Sequence, residues 1–181
     1  REGGELEVLV KAGHVVFVVQ PRGVSEEASA QPRSGMGDQT TYALAEVVGK
    51  TVVGMRAEDL IRAVDYLASR DDVDAGRISG FGQGALGVPM LHAAVLDERI
   101  SRLVLQETPA LYRLFIDNPM YRDVYEVGIT GVLRQYDLDD LLVALSPRPV
   151  MVLNPADALG GPLLRLNEFR ELCGYAFEAD E

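Results

Sequence analysis

Short apolar runs of strand length alternate with longer stretches whose apolar residues recur every three or four positions. This alternation restricts the fold more than any other feature of the chain. Val15, Val16, Phe17, Val18 and Val19 form a continuous β-branched and aromatic run of the kind buried in parallel strands. Residues 77–81, 100–105 and 149–153 read as further strands. From Thr40 the pattern becomes helical. Val52, Met55, Leu60, Ile61, Val64 and Leu67 fall on one face, with Arg56, Glu58, Asp59 and Arg62 on the other. Helices are also expected over residues 5–12, where Gly13 is the stop signal, and over 85–96, 137–145 and 163–172. The class that follows is α/β, a mostly parallel sheet of about four or five strands with flanking helices and right-handed crossovers. Residues 24–39 read as a long loop. Residues 107–137 read as an irregular helical insertion whose tyrosines cover the sheet edge rather than bind sugars.

With 181 residues the chain is expected to form one domain, residues 1–181. The 28 acidic against 17 basic residues leave a net charge of −11, which repels phosphate backbones and anionic bilayers. Nucleic-acid and membrane partners are therefore not expected. No apolar run approaches the roughly 20 residues a spanning helix requires. The single cysteine, Cys173, rules out an intrachain disulfide and a multi-cysteine metal site, and no metal or cofactor is expected. The first residues, Arg1-Glu2-Gly3-Gly4-Glu5, lack the layout of a secretory signal, so a cytoplasmic location is the expectation. The chain opens on arginine rather than methionine, as a segment of a longer product would.

The segment Gly80-Phe81-Gly82-Gln83-Gly84-Ala85-Leu86-Gly87 sits between an expected strand and an expected helix, and it admits two readings. Gly82, Gly84 and Gly87 match the G-x-G-x-x-G dinucleotide fingerprint, in which glycines let backbone N–H groups approach a pyrophosphate at a helix N-terminus. Glu107 then ends the next strand, where a ribose-binding acid would sit. Against this, a strand–helix unit already precedes the motif, whereas the fingerprint belongs to the first strand of its domain. The second reading is the nucleophile elbow G-x-S-x-G, with Gly80 and Gly84 as the flanking glycines and Gly82 in place of the serine.

Beyond the motif, the Gly13-His14-Val15 strand start, the Pro21-Arg22-Gly23-Val24 turn, the long helix, Asp72-Val73-Asp74 and the glycine turn follow one another in an order that resembles α/β-hydrolases. Asp65-Tyr66-Leu67-Ala68-Ser69-Arg70 and Leu91-His92-Ala93-Ala94-Val95-Leu96-Asp97-Glu98-Arg99-Ile100 are similar to segments of the acetyl xylan esterase-like members of that superfamily. The likeness runs over roughly residues 5–165. It implies a truncated hydrolase core that lacks the early strands and the terminal histidine-bearing segment, with one strand missing between residues 15–19 and 77–81. It also implies Asp157 at the position of the triad acid, Gly82 at that of the nucleophile, and the Gln83 backbone N–H as an oxyanion donor.

The histidines, His14 and His92, both precede Asp157, so the order serine, acid, histidine is not completed within these residues. His14 and His92 are expected to be structural. Ser79 lies three residues before the turn, Ser25 and Ser34 fall in the loop without a base, and Cys173 has no histidine near it in sequence. Three functions remain open: a catalytically degenerate hydrolase-like domain that binds a small ester or carbohydrate or serves as an interaction module, an active esterase with a non-standard nucleophile, and a nucleotide-binding module built on Gly82, Gly84 and Gly87. The uncovered sheet of a truncated core would favour association, and the expectation is a homodimer, or a fragment that pairs with its own missing segments.

Overall fold

The computed structural model describes residues 5–24, 39–118 and 121–163. Helix α1 (Glu5–Lys11) ends where expected, with Gly13 in the left-handed region at φ +87°. The helical run expected from Thr40 is two helices. Helix α2 (Gln39–Val47) stops at Gly49, φ +68°, and α3 (Val52–Ala68) restarts with Thr51 as N-cap, its hydroxyl accepting from Gly54 N at 3.0 Å.

Strand β1 (Ile78–Gln83) follows a 3₁₀ turn, and a second 3₁₀ turn (Gly84–Leu86) leads into α4 (Gly87–Leu96). Strand β2 (Ile100–Gln106) comes next, then the short helices α5 (Leu114–Asp117) and α6 (Val124–Val127), α7 (Leu138–Ala144) and β3 (Val150–Leu153). The strands form a parallel sheet in the order β1-β2-β3, with Gly82 opposite Leu105 and Leu105 opposite Val152. Consecutive parallel strands need a crossover, and here α4 and α7 supply it, as the alternating pattern requires.

Alternation along β1 decides which face is covered. Ile78, Gly80 and Gly82 point into the core, whereas Ser79, Phe81 and Gln83 point out. Helix α4 lies on the inward face. A Cβ on Gly80 would come within 2.7 Å of Met90 Cε, so glycine there lets helix and strand approach closely. Val53, Leu91, Ile100, Leu103, Leu138 and Leu145 belong to the core that α3, α4, α7 and the sheet enclose. Helix α7 starts from a capping box in which Asp137 accepts from Leu138 N at 2.7 Å and Asp140 accepts from Asp137 N at 2.8 Å. Asp137, 6% exposed, also accepts from Tyr112 N and Arg113 N, and so fastens the insertion to the helix.

Two expectations change in detail. The described residues hold three strands where about four or five were expected, because residues 15–19 are extended without joining a ladder among the described residues. β-branched composition favours the extended backbone, but a strand forms only beside a partner, and here Val15, Phe17 and Val18 are exposed. Arg56, read as part of the polar helix face, is 1% exposed. The expected last helix, 163–172, lies outside the described residues apart from Leu163. Among the described residues the sheet face opposite α4 is bare: Phe81 is 55% and Met151 56% exposed, with Val104 between them across the ladder. No helix among the described residues is long and apolar enough to cross a membrane.

Candidate functional site

Parallel sheets present ligands at the carboxyl ends of their strands, where loops diverge and helix N-termini gather. At that end, each of the three strands is followed immediately by a residue in the left-handed region: Gly84 at φ +58°, Glu107 at +54° and Asn154 at +48°. The last ladder pairs are Gln83 with Gln106 and Gln106 with Leu153, so these three residues stand at one level across the sheet. Glu107 N donates to Leu153 O at 2.8 Å, and Gln83 Nε2 reaches the Glu107 carboxylate at 3.2 Å. A non-glycine residue at positive φ is strained, and strain of this kind concentrates at functional turns.

The glycines of the motif do different work. At Gly82 a Cβ would meet Gly87 Cα at 2.7 Å and Met90 Cβ at 2.9 Å, because the residue lies within β1 with its side-chain direction aimed into α4. At Gly87 a Cβ would stand 1.8 Å from Thr108 Oγ1, so that glycine admits the end of β2 against the start of α4. At Gly84 a Cβ would meet nothing within 4 Å.

Asp157 is committed to its own loop. Its Oδ1 accepts from Leu159 N at 2.8 Å and from Gly161 N at 2.9 Å, and its backbone N–H donates to Gly161 O at 2.8 Å. The loop is held to the end of β2 by Ala156 N to Thr108 O, 2.8 Å, and Ala110 N to Ala156 O, 3.0 Å.

His14 is exposed where α1 ends. His92 sits on α4 with Nδ1 2.8 Å from Val88 O and Nε2 2.9 Å from Tyr136 Oη. A ring nitrogen facing a carbonyl must donate, so Nδ1 carries the proton and Nε2 accepts from the tyrosine. Burial lowers the His92 pKa below its ordinary value, which keeps the ring neutral. Ser79 is exposed on the bare sheet face. Ser25, Ser34 and Cys173 lie outside the described residues. The insertion's tyrosines are engaged in packing: Tyr112 is buried, Tyr121 meets Phe115, Tyr125 meets Tyr42, and Tyr136 meets His92.

Arg56 is a feature that sequence reasoning missed. Its guanidinium lies 2.6 Å from the buried carboxylate of Glu126 on α6, and its Nε donates to Arg22 O at 3.2 Å. Arg22 in turn pairs with Asp59 on α3, donating through its backbone N and its Nε at 2.9 Å, and this pairing holds the Asp59 pKa below its ordinary value. The Pro21–Val24 turn is thereby clamped onto the first turns of α3. Helix α6 also packs beside the Gly84–Leu86 turn, so the Arg56–Glu126 pair braces the rim of the site. Among the described residues no three His, Cys, Asp or Glu side chains converge as a metal site.

Comparison with known proteins finds one curated relative and several solved structures. No family profile matches it. It is 26% identical over 126 residues to a Bacillus subtilis (strain 168) protein named "Putative hydrolase YtaP", a stretch covering 66% of this chain and 42% of that protein. Among solved structures, a glucuronoyl esterase from Solibacter usitatus matches with a TM-score of 0.42 and 25% identity over 55% of this chain and 29% of that one. A glucuronoyl esterase from Teredinibacter turnerae gives 0.44 and 22% over 55% and 28%. The chain thus spans less than half the length of each of these three proteins. It is an α/β protein with a parallel sheet, similar over 66% of its length to a protein named as a putative hydrolase.

Proposed function

We propose that the chain is an α/β-hydrolase-like, esterase-related protein whose strand-to-helix turn has lost its nucleophile, and that it binds a small ester or carbohydrate without turning it over. The carrying observation is the turn itself. Between β1 and α4 stand Gly82, Gln83 and Gly84, and none bears a hydroxyl or thiol at the place where acyl transfer needs one. The similarity to a protein named as a putative hydrolase supports the hydrolase-like part of this reading. The segments around residues 65–74 and 91–100 add the likeness to acetyl xylan esterases. Within this proposal Asp157 keeps the acid position, and its engagement with Leu159 N and Gly161 N makes it a loop-ordering carboxylate.

Two other readings have less support. For an esterase with another nucleophile the first candidates are Ser79, which has no histidine beside it among the described residues, and Cys173. A nucleotide module needs its first glycine in the tight turn after the strand, yet Gly82 lies inside β1 with its Cβ direction running into Gly87 and Met90. The test is steady-state hydrolysis of p-nitrophenyl acetate by the purified chain. The expected rate equals that of buffer with an equal concentration of denatured protein. Sustained turnover that disappears in Ser79→Ala or Cys173→Ala would replace this reading with the active-esterase one.

A further inference from the structure

We propose that the nucleophile position of this turn is Gly84, two residues beyond the Gly82 that the G-x-S-x-G spacing selects. The inference rests on the hydrolase-like reading above and refines where its lost group belongs. A nucleophile elbow is a geometric object: a sharp, strained turn after a strand and before a helix, which lifts one side chain off the end of the sheet. Gly82 does not meet that description. It is inside β1, paired opposite Leu105, and its side-chain direction runs into Gly87 and Met90. Gly84 does meet it. It is the first residue after the strand, its φ is +58°, and a Cβ there would project into open space.

The surroundings fit the same assignment. Gly84 stands level with Glu107 on the neighbouring strand, and Gln83 hydrogen-bonds that carboxylate at 3.2 Å, so a group on residue 84 would rise beside a polar pair rather than into the core. The steric demand of an elbow for a small residue two positions earlier is met by Gly82, whose crowding against α4 is of the kind such a position experiences. Two positions later stands Leu86, a departure from the G-x-S-x-G pattern. The close approach is made one residue further on, by Gly87 against Thr108. The shift by two also moves the backbone donor that follows the nucleophile from Gln83 to Ala85, which belongs to the turn leading into α4.

The assignment explains why glycine is tolerated twice for different reasons. At residue 82 a side chain is excluded by contact, whereas at residue 84 it is only disfavoured by the left-handed backbone, a strain that serine bears in working elbows.

The experiment compares Gly84→Cys with Gly82→Cys, both in a Cys173→Ser background. Native-state alkylation by iodoacetamide reads the geometry alone. The thiol introduced by Gly84→Cys should react within about tenfold of its rate in denaturant, as an accessible thiol does. Gly82→Cys should react at least about a hundredfold more slowly than when denatured, or lower the Tm by several degrees through overpacking. Equal reactivity of the two folded variants, or the reverse order, overturns the assignment. If Gly84→Cys does not fold, Gly84→Asn replaces it, because asparagine accepts the left-handed region best among the larger residues. It should keep the Tm within a few degrees while Gly82→Ala loses more, and the opposite ranking overturns the assignment.

A second readout separates this inference from the reading it rests on. With p-nitrophenyl acetate, the thiolate from Gly84→Cys attacks the acetyl carbon, the ester C–O bond breaks, p-nitrophenolate leaves, and the acetyl group remains on sulfur as a thioester. The thiol proton passes to buffer. Acylation at least about tenfold faster than of a free thiol of equal pKa supports both, since an oriented donor accelerates the step. An accessible thiol acylated no faster than a free one keeps Gly84 at the turn and removes the hydrolase-like reading.

Discussion

Replacing Arg56 by methionine removes a guanidinium that is 1% exposed and lies 2.6 Å from Glu126, itself 6% exposed. Both charges have been taken out of water, so each depends on the other to offset its desolvation. Breaking such a pair from one side costs about 3–5 kcal/mol, and the lost donation to Arg22 O adds to that. For a chain of this size, about 4 kcal/mol corresponds to a fall in Tm of roughly 8–16 °C. The assay is urea unfolding followed by circular dichroism, with Glu126→Leu and the double variant measured alongside. The double variant, which replaces both charges with apolar groups, should be more stable than Arg56→Met alone, with a coupling of about 3 kcal/mol. A cost below about 1 kcal/mol for Arg56→Met, or strict additivity in the cycle, would refute the claim that this buried pair braces the site.

Three further outcomes follow from the geometry. His92 is held neutral by burial, so its folded pKa is below the unfolded value near 6.5. Its contribution to stability is therefore complete above that value and is lost as pH falls below it. Tm should drop between pH 7.5 and 5.5 in wild type and drop less in His92→Gln, and equal slopes would contradict this. Gly87→Ala would put a Cβ 1.8 Å from Thr108 Oγ1 and should cost about 1–3 kcal/mol, recovered in part by Thr108→Ala, with thermal unfolding as the readout. The bare face carries the apolar row Phe81, Val104 and Met151, with the exposed Arg102 toward one end of β2 and the exposed Glu107 just past the other. Two copies packed with their strands antiparallel would bring Arg102 of each over Glu107 of its partner. A homodimer in sedimentation should thus be broken by Arg102→Glu and restored by adding Glu107→Arg, and failure of the charge swap would discard this interface.

Where one residue pattern has one physical solution, the chain could be read directly. Strand β1 ends at a glycine turn, α4 and β2 follow in order, and α7 falls within the helix read over 137–145, because apolar period and turn chemistry are local properties. Residues 15–19 show the limit of that approach. Their composition specifies an extended backbone, but pairing depends on a neighbour that local sequence does not describe. The glycine turn shows another limit. Gly80, Gly82, Gly84 and Gly87 are spaced so that several motifs can be laid over them, and what separates Gly82 from Gly84 is the sign of φ and the space beyond Cβ. Arg56 looked solvated because its partner, Glu126, is distant in sequence, and a buried ion pair across elements leaves no periodic trace. Glu107 could be seen as a strand-terminal acid, but its alignment with Gly84 and Asn154 required the register of the sheet.

The central claim is that this hydrolase-like turn lacks a reactive group, and active-site labelling tests it most directly. The native chain, incubated with a fluorophosphonate that phosphonylates activated serines, is weighed intact by mass spectrometry. The account predicts an unchanged mass at concentrations of reagent that fully label a serine esterase run in parallel. A single stoichiometric adduct, lost on denaturing the protein beforehand, would show an activated nucleophile elsewhere in the chain and contradict the account.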